Sequence, residues 1–215
     1  MTANLAGFDI LICYSNMRYL IGVDEAGRGP LAGPVAVGAV MVPERFDVLA
    51  AFPGAKDSKI LSPQQREDIY KELEQRARAG DIRFCIRFSS HLYIDRCGIT
   101  KAVRRAVHSG VRFLAPESAD VRVLLDGLLH APPAYEQETI IRGDFLVPLI
   151  SLASIVAKVR RDRLMVRLAR KYPLYGFEGH KGYGTRAHRE SIAEHGLSDV
   201  HRTSYCGRIS LKAES

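Results

Sequence analysis

Four carboxylates stand where chemistry collects in a protein of alternating strands and helices. Asp24 and Glu25 close the apolar run 19–23, Asp126 follows "VRVLL" (121–125), and Asp144 ends "ETIIRGD" (138–144). In open α/β sheets, sites gather beyond the ends of central strands, where chains diverge and leave a crevice. Carboxylates drawn together there repel one another unless cations lie between them. Hard oxygen donors suit Mg2+ or Mn2+, which keep several waters and take remaining ligands from substrate phosphates. Two such ions about 3.5–4 Å apart activate a water and stabilise the leaving oxygen in phosphodiester hydrolysis. Each acid also has an ordinary reading: a strand-end turn for Asp126-Gly127, a helix N-cap for Asp144, a surface residue for Glu25. Convergence of the three segments is what would make them a site.

The basic residues favour a polyanionic partner. Formal net charge is +7, and it is concentrated. Lys158, Arg160, Arg161, Arg163, Arg167, Arg170 and Lys171 fall within fourteen residues, opposed only by Asp162. A second cluster holds Lys101, Arg104, Arg105 and Arg112. Each phosphate that such residues neutralise releases condensed counterions. A solvated helix face accounts equally well for either cluster taken alone. In the nucleic-acid reading, the basic half of a helix over 158–171 faces the same groove as the carboxylates.

The elements that must position these residues follow from pattern. The run 19–23 and "VAVGAVMV" (35–42) read as two strands joined through the Gly/Pro-rich "AGRGPLAGP". Ser62-Pro63 opens a helix that keeps Ile69, Leu73 and Ala77 on one face and ends at Gly80. "IRFCIRFSS" (82–90) alternates as a half-solvated strand does, and 100–114 carries apolar residues at helical spacing. "VRVLL" is a buried strand, "ETIIRGD" a short edge strand ending at Asp144, and 148–172 one long helix. The order of two strands, helix, strand, helix, strand, strand, helix predicts a mixed α/β sheet with helices on its faces.

At 215 residues, 47% hydrophobic and 26% charged, the chain is sized for one globular domain with a small appendage. The expected division is a lead-in over 1–17, a catalytic domain over 18–172 and a Gly-, His- and Tyr-rich helical appendage over 173–215. Met17 would serve equally as a start, so the lead-in is expected to contribute nothing to the fold. It has neither the basic flank nor the cleavage site of a signal peptide, and no stretch approaches the roughly 20 apolar residues that cross a bilayer. Cys13, Cys85, Cys97 and Cys206 are scattered without C-x-x-C spacing, which fits a reducing cytoplasm.

"GVDEAGRGPLAGP" (22–34) is where the sequence stops being generic: it resembles the signature of the type 2 ribonucleases H, on the bacterial ribonuclease HII side. "DSKILS" (57–62), "LLDG" (124–127), "IRGD" (141–144), "ASIVAKVRRD" (153–162), "YGFEGHKGYGT" (175–185) and "HRTSY" (201–205) resemble the same family in the same order. The resemblance implies a ribonuclease-H-like fold: a five-stranded mixed sheet flanked by helices, with a small C-terminal helical appendage. It implies that Asp24, Glu25, Asp126 and Asp144 are the catalytic and metal-binding carboxylates, with Mg2+ or Mn2+ as cofactor. It implies that Gly27, Arg28 and Gly29 read the ribose 2′-hydroxyl through closely approaching backbone, and that Tyr183 packs on the adjoining sugar. Lys59, Lys158 and Lys181 fall in motifs that line the substrate groove. The expected substrates are RNA/DNA hybrids and DNA containing ribonucleotides, cut by a monomer with no membrane attachment, leaving 3′-hydroxyl and 5′-phosphate ends.

This chain departs from the family at three places. Leu128 stands where Asn usually follows "DG", Ile60 where a second Lys is common, and "HRTSYCGRIS" where Phe and Pro are more usual. None touches the four carboxylates. The related ribonuclease HIII pattern carries a sizeable extra N-terminal domain and Thr at the position of Arg28, and fits less well. A non-catalytic hybrid-binding module is the rival from another class; four retained carboxylates argue against it, since burying them without a role is costly.

Overall fold

The computed structural model describes residues 18–57, 61–207 and 209. The lead-in 1–17 and Lys59 lie outside the described residues. Strands β1 (Tyr19–Ala26), β2 (Val35–Pro43), β3 (Arg83–Ser89), β4 (Val121–Asp126) and β5 (Glu136–Ile140) form one sheet in the order β3-β2-β1-β4-β5. Neighbouring β1 and β2 run antiparallel, as do β2 and β3, while β4 lies parallel to both β1 and β5. The mixed five-stranded sheet implied by the motifs is therefore present. Its parallel central pair brings the C-terminal ends of β1 and β4 to one edge.

Helices α1 (Val48–Ala51), α2 (Pro63–Ala79), α3 (His91–Cys97), α4 (Ile99–Leu114), α5 (Gly143–Leu146) and α6 (Pro148–Lys171) surround the sheet. One sheet face buries Ile21, Val23, Val37, Val123 and Leu125 against Ala106, Val107 and Val111 of α4. The other buries Val40 and Val42 against Leu152, Ala153 and Val156 of α6, with Tyr70 and Leu73 of α2 completing that layer. The α2 boundaries are those the sequence predicts: Ser62 and Gln65 form a reciprocal capping box, Pro63 takes the first turn, and Gly80 closes the helix at φ 89°.

One local element differs from expectation and another was not expected. The edge strand does not run to Asp144; β5 stops at Ile140. Arg142 then adopts a left-handed conformation (φ 58°), which turns the chain and puts Asp144 in the first turn of α5. Helix α3, capped by the Ser90 side chain on the Tyr93 amide, had no clear apolar repeat to announce it.

The last forty residues supply α7 (Phe177–His180), α8 (Arg186–His195) and α9 (Thr203–Cys206). Their apolar centre is Tyr175, Phe177, Ile192 and Cys206, closed by Met165 and Ala169 of α6 and by Ala32 from the loop after β1. The appendage thus packs on the segment that follows Asp24-Glu25.

Candidate active site at the sheet edge

Register sets the geometry of the acids. Val23 pairs with Leu125, so Asp24 and Asp126 are the next residues of two adjacent parallel strands. Asp126 pairs with Ile140, and the left-handed turn at Arg142 brings the Asp144 amide back to donate to Asp126 Oδ1 at 3.3 Å. Asp24 and Asp144 are buried, 5% and 3% exposed, while Glu25 and Asp126 are half-buried. All four carboxylates named from the sequence therefore lie at one end of the sheet.

Their electrostatics are those of an anionic cluster. Burial, then Glu25, then Asp126 push the Asp24 carboxyl well above the usual range, against hydrogen bonds from Ser154 of α6 and the Glu25 amide. Burial also raises Glu25, with a further push from Asp126, while the Arg28 guanidinium at 3.2 Å opposes the shift. Such oxygen donors suit a hard divalent cation, whose charge would relieve the strain of ionising them together. As the side chains stand, no three His, Cys, Asp or Glu groups among the described residues are arranged to hold one ion. That is compatible with Mg2+, which is usually held by one or two carboxylates plus waters and substrate phosphates.

Beside the acids lies a cavity of about 440 Å3, lined by Glu25, Ala26, Gly27, Arg28, Gly29, Arg66, Ser154, Ile155, Lys158 and Tyr183. Five of the expected substrate-binding residues thus share one hollow with a carboxylate. The two glycines differ in kind. Gly27 sits at φ 92°, and a Cβ there would lie 2.0 Å from Arg161 Nε, so fold and packing both require glycine. A Cβ at Gly29 would meet nothing within 4 Å, which leaves its backbone open on the cavity side.

Lys158 lines the cavity but is paired with Asp162 at 3.0 Å. Lys181 lines an adjoining hollow with Arg163 and Arg167, joined to the first by Arg66. The basic half of α6 does not form one groove face. Arg163 makes a two-pronged ion pair with Glu67 and Arg160 bonds the Tyr70 hydroxyl at 3.1 Å, both on α2, and Arg161 is buried.

Sequence reasoning missed two buried arginines. Arg161, 1% exposed, donates to the carbonyls of Pro34 at 3.0 Å, Lys181 at 3.1 Å and Ala32 at 3.3 Å. Arg202, fully buried, donates to Gly33 at 2.9 Å and to Arg28 and Gly27, both at 2.7 Å. Together they rivet the loop 27–34 to the appendage. Burial lowers both guanidiniums, Arg161 to about 10. No spacing rule separates either arginine from a surface cation.

Tyr183, 43% exposed, is held from behind. The Ser198 amide donates to His201 Nδ1 at 2.9 Å, which leaves His201 Nε2 to donate to His188 Nε2 at 3.0 Å. His188 Nδ1 is then the donor to the Tyr183 carbonyl at 2.9 Å. Burial pushes both imidazoles down to about 4, so the relay is neutral.

The ribonuclease HII family model matches residues 21–208, a span that includes the acids, the glycine loop, both buried arginines and Tyr183. The chain belongs to the ribonuclease HII family. Ribonuclease HII of Bacillus cereus (strain Q1) is 43% identical over 189 residues, 88% of this chain and 69% of the relative. That of Bacillus mycoides (strain KBAB4) matches to the same extent. The structure of the PCNA:RNase HII complex from Archaeoglobus fulgidus superposes with TM-score 0.72 at 24% identity, covering 91% of this chain and 98% of that one. Bst-RNase HIII in complex with Mn2+ gives 0.67 at 18% identity, covering 87% and 67%. These two likenesses establish the ribonuclease-H-like fold. As a member of this family, the chain is a divalent-metal-dependent endoribonuclease acting on RNA/DNA hybrids. No helix among the described residues is long and apolar enough to cross a membrane.

Proposed function

We propose that this enzyme cuts hybrids and also cuts 5′ of single ribonucleotides embedded in duplex DNA, leaving 3′-hydroxyl and 5′-phosphate ends. The observation that carries the reading is the cavity in which the open backbone at Gly29, the Tyr183 ring and the Glu25 carboxylate meet. Main-chain groups of Gly27, Arg28 and Gly29 bind the 2′-hydroxyl, the feature that separates ribose from deoxyribose. Tyr183 packs on the sugar 3′ to it. Lys158 and, in the adjoining hollow, Lys181 stand by for phosphates; a phosphate-binding role for Lys59 rests on its motif alone.

Asp24, Glu25, Asp126 and Asp144 would hold two Mg2+ or Mn2+ ions, which supply an activated water and charge on the leaving oxygen. Ser154 and the Glu25 amide keep the Asp24 carboxylate oriented, and Arg28 does so for Glu25. The C-terminal appendage, expected over 173–215, contributes to the substrate groove, and Arg161 of α6 and Arg202 of the appendage tie it to the loop 27–34. The enzyme works as a monomer in a reducing cytoplasm, where Cys85, Cys97 and Cys206 remain thiols. The test is a duplex carrying one ribonucleotide, incubated with and without Mg2+ or Mn2+ and the cut mapped. Ion-dependent cleavage 5′ of the ribonucleotide is expected; cleavage of long hybrids alone would contradict the reading.

A further inference from the structure

A second hollow lies away from the carboxylates, on the outer side of β3 and α4. It measures about 560 Å3 and is lined by Arg87, Arg105, His108, Ser109, Arg112 and Phe113. No acidic side chain lines it, and among the described residues none of its three arginines has a salt-bridge partner within 4 Å. Burial, then Arg112 and Arg104, hold the His108 imidazole below its ordinary range.

Two of the guanidiniums are preorganised. Arg87 lies 4.2 Å from the Phe113 ring centre, and Arg105 lies 4.7 Å from that of Tyr93. Stacked guanidiniums have already given up much of their rotamer freedom and still present N–H edges for a bidentate anion contact. Several basic residues of α6 and the appendage have internal partners: Arg163 pairs with Glu67, Lys158 with Asp162, and Arg161 and Arg202 with backbone carbonyls. In the hollow Arg87 donates to the Ile86 carbonyl at 3.3 Å, and no carboxylate lines the space in front of the three guanidiniums.

Register ties the hollow to the site. Glu25 pairs with Val37, and Val37 with Arg87, so Arg87 is level with Glu25 two strands away. That is about 10 Å at the usual interstrand spacing. A duplex engaged at the sheet edge carries a phosphate every few ångströms and extends well past this distance in either direction.

We propose that Arg87, Arg105 and Arg112 form a second phosphate-binding site, which grips the backbone of the hybrid or DNA duplex beyond the cut. The site rests on the substrate being a duplex, and not on how the 2′-hydroxyl is read or how many ions the carboxylates hold. It adds length-dependent affinity without touching the chemistry.

The experiment compares the wild type with R87Q/R105Q/R112Q on a short hybrid that spans only the cleavage site and on one of about thirty base pairs. Equilibrium binding is measured over a range of salt, with cleavage in Mg2+ and a thermal melt as checks. Loss of three contacts should make the salt dependence on the long duplex shallower by about 2.7 log units per log unit of salt, at about 0.9 per phosphate. Long-duplex affinity should fall at least about tenfold at low salt, while binding and cleavage of the short hybrid stay unchanged. R87K/R105K/R112K, which keeps the charge, should recover most of the slope. An unchanged slope and affinity on the long duplex would overturn the proposal. So would equal losses on both lengths, which would place the effect in the active site or the fold. Failure of wild type to cut 5′ of a lone ribonucleotide would sink the junction reading and leave this site untouched.

Discussion

The guanidinium of Arg202 donates to the Gly27 carbonyl at 2.7 Å from 175 residues away in sequence. With its bonds to Arg28 and Gly33, this one side chain satisfies three carbonyls of the loop that follows Asp24-Glu25, those of Gly27 and Gly33 in buried surroundings and that of Arg28 half-buried. Replacing it by Met leaves those acceptors unpaired, at about 1–3 kcal/mol for each that water cannot reach. Arg202→Met should therefore lose about 3 kcal/mol or more in urea unfolding, whereas the exposed Arg167→Ala should stay within about 0.5 kcal/mol. Equal effects from the two would show that the loop does not depend on Arg202.

The two glycines of the loop should part company. Gly27→Ala demands an L residue at φ 92° and a Cβ 2.0 Å from Arg161 Nε, so the protein should be destabilised. Gly29→Ala has no neighbour within 4 Å. Its melting temperature should match wild type, while kcat/KM falls on hybrids and on single ribonucleotides alike, because both present a 2′-hydroxyl to this backbone. A fully active Gly29→Ala enzyme would remove Gly29 from substrate reading.

Asp24 is held above its usual pKa chiefly by burial, then by Glu25 and Asp126. Ionising it costs stability at neutral pH, and Asp24→Asn removes that cost. The variant should melt higher than wild type in the absence of divalent ions. Adding Mn2+ should raise the melting temperature of wild type more than that of the variant. Activity should fall at least about a hundredfold, the equivalent of about 2.7 kcal/mol of lost transition-state stabilisation. Near-normal activity would take Asp24 out of the mechanism.

The sheet and the acids at its end were legible because the apolar runs before Asp24-Glu25 in β1 and before Asp126 in β4 carry their own signal: largely buried aliphatic residues broken by charge. Asp144 was legible as a site residue through "IRGD", but not in its geometry, since nothing local announces that Arg142 will turn left-handed. Arg161 was misread for a different reason. In a run of seven basic residues its burial is decided by carbonyls of Ala32, Pro34 and Lys181, brought there only by the packing of α6 between loop and appendage. Arg202 depends in the same way on partners far along the chain, whereas the His201–His188 relay joins residues at most thirteen apart through a turn that no local pattern announces.

That relay predicts a pH dependence. His188 and His201 titrate near 4 in the folded protein, pushed down by burial, and near 6.5 when exposed. Between those values the unfolded chain binds protons that the folded one does not, so stability falls as pH drops from about 6.5 towards 4. A urea midpoint followed over this range should decline, and the decline should flatten in His188→Asn/His201→Asn. A midpoint in wild type that holds constant from pH 6.5 to 4.5 would mean that the imidazoles are not buried neutral.

The central claim is that a single cavity reads both sugars of a junction, ribose through the loop 27–29 and deoxyribose through Tyr183. Its most direct test is kcat/KM for Tyr183→Ala on a duplex with one embedded ribonucleotide and on a long hybrid. Truncation removes a stacking surface worth roughly 1–3 kcal/mol by analogy with base–aromatic contacts. The loss should be about tenfold or more on the single ribonucleotide and clearly smaller on the hybrid. Equal losses on the two substrates would contradict it, and would leave Tyr183 as a general groove contact with no part in recognising the junction.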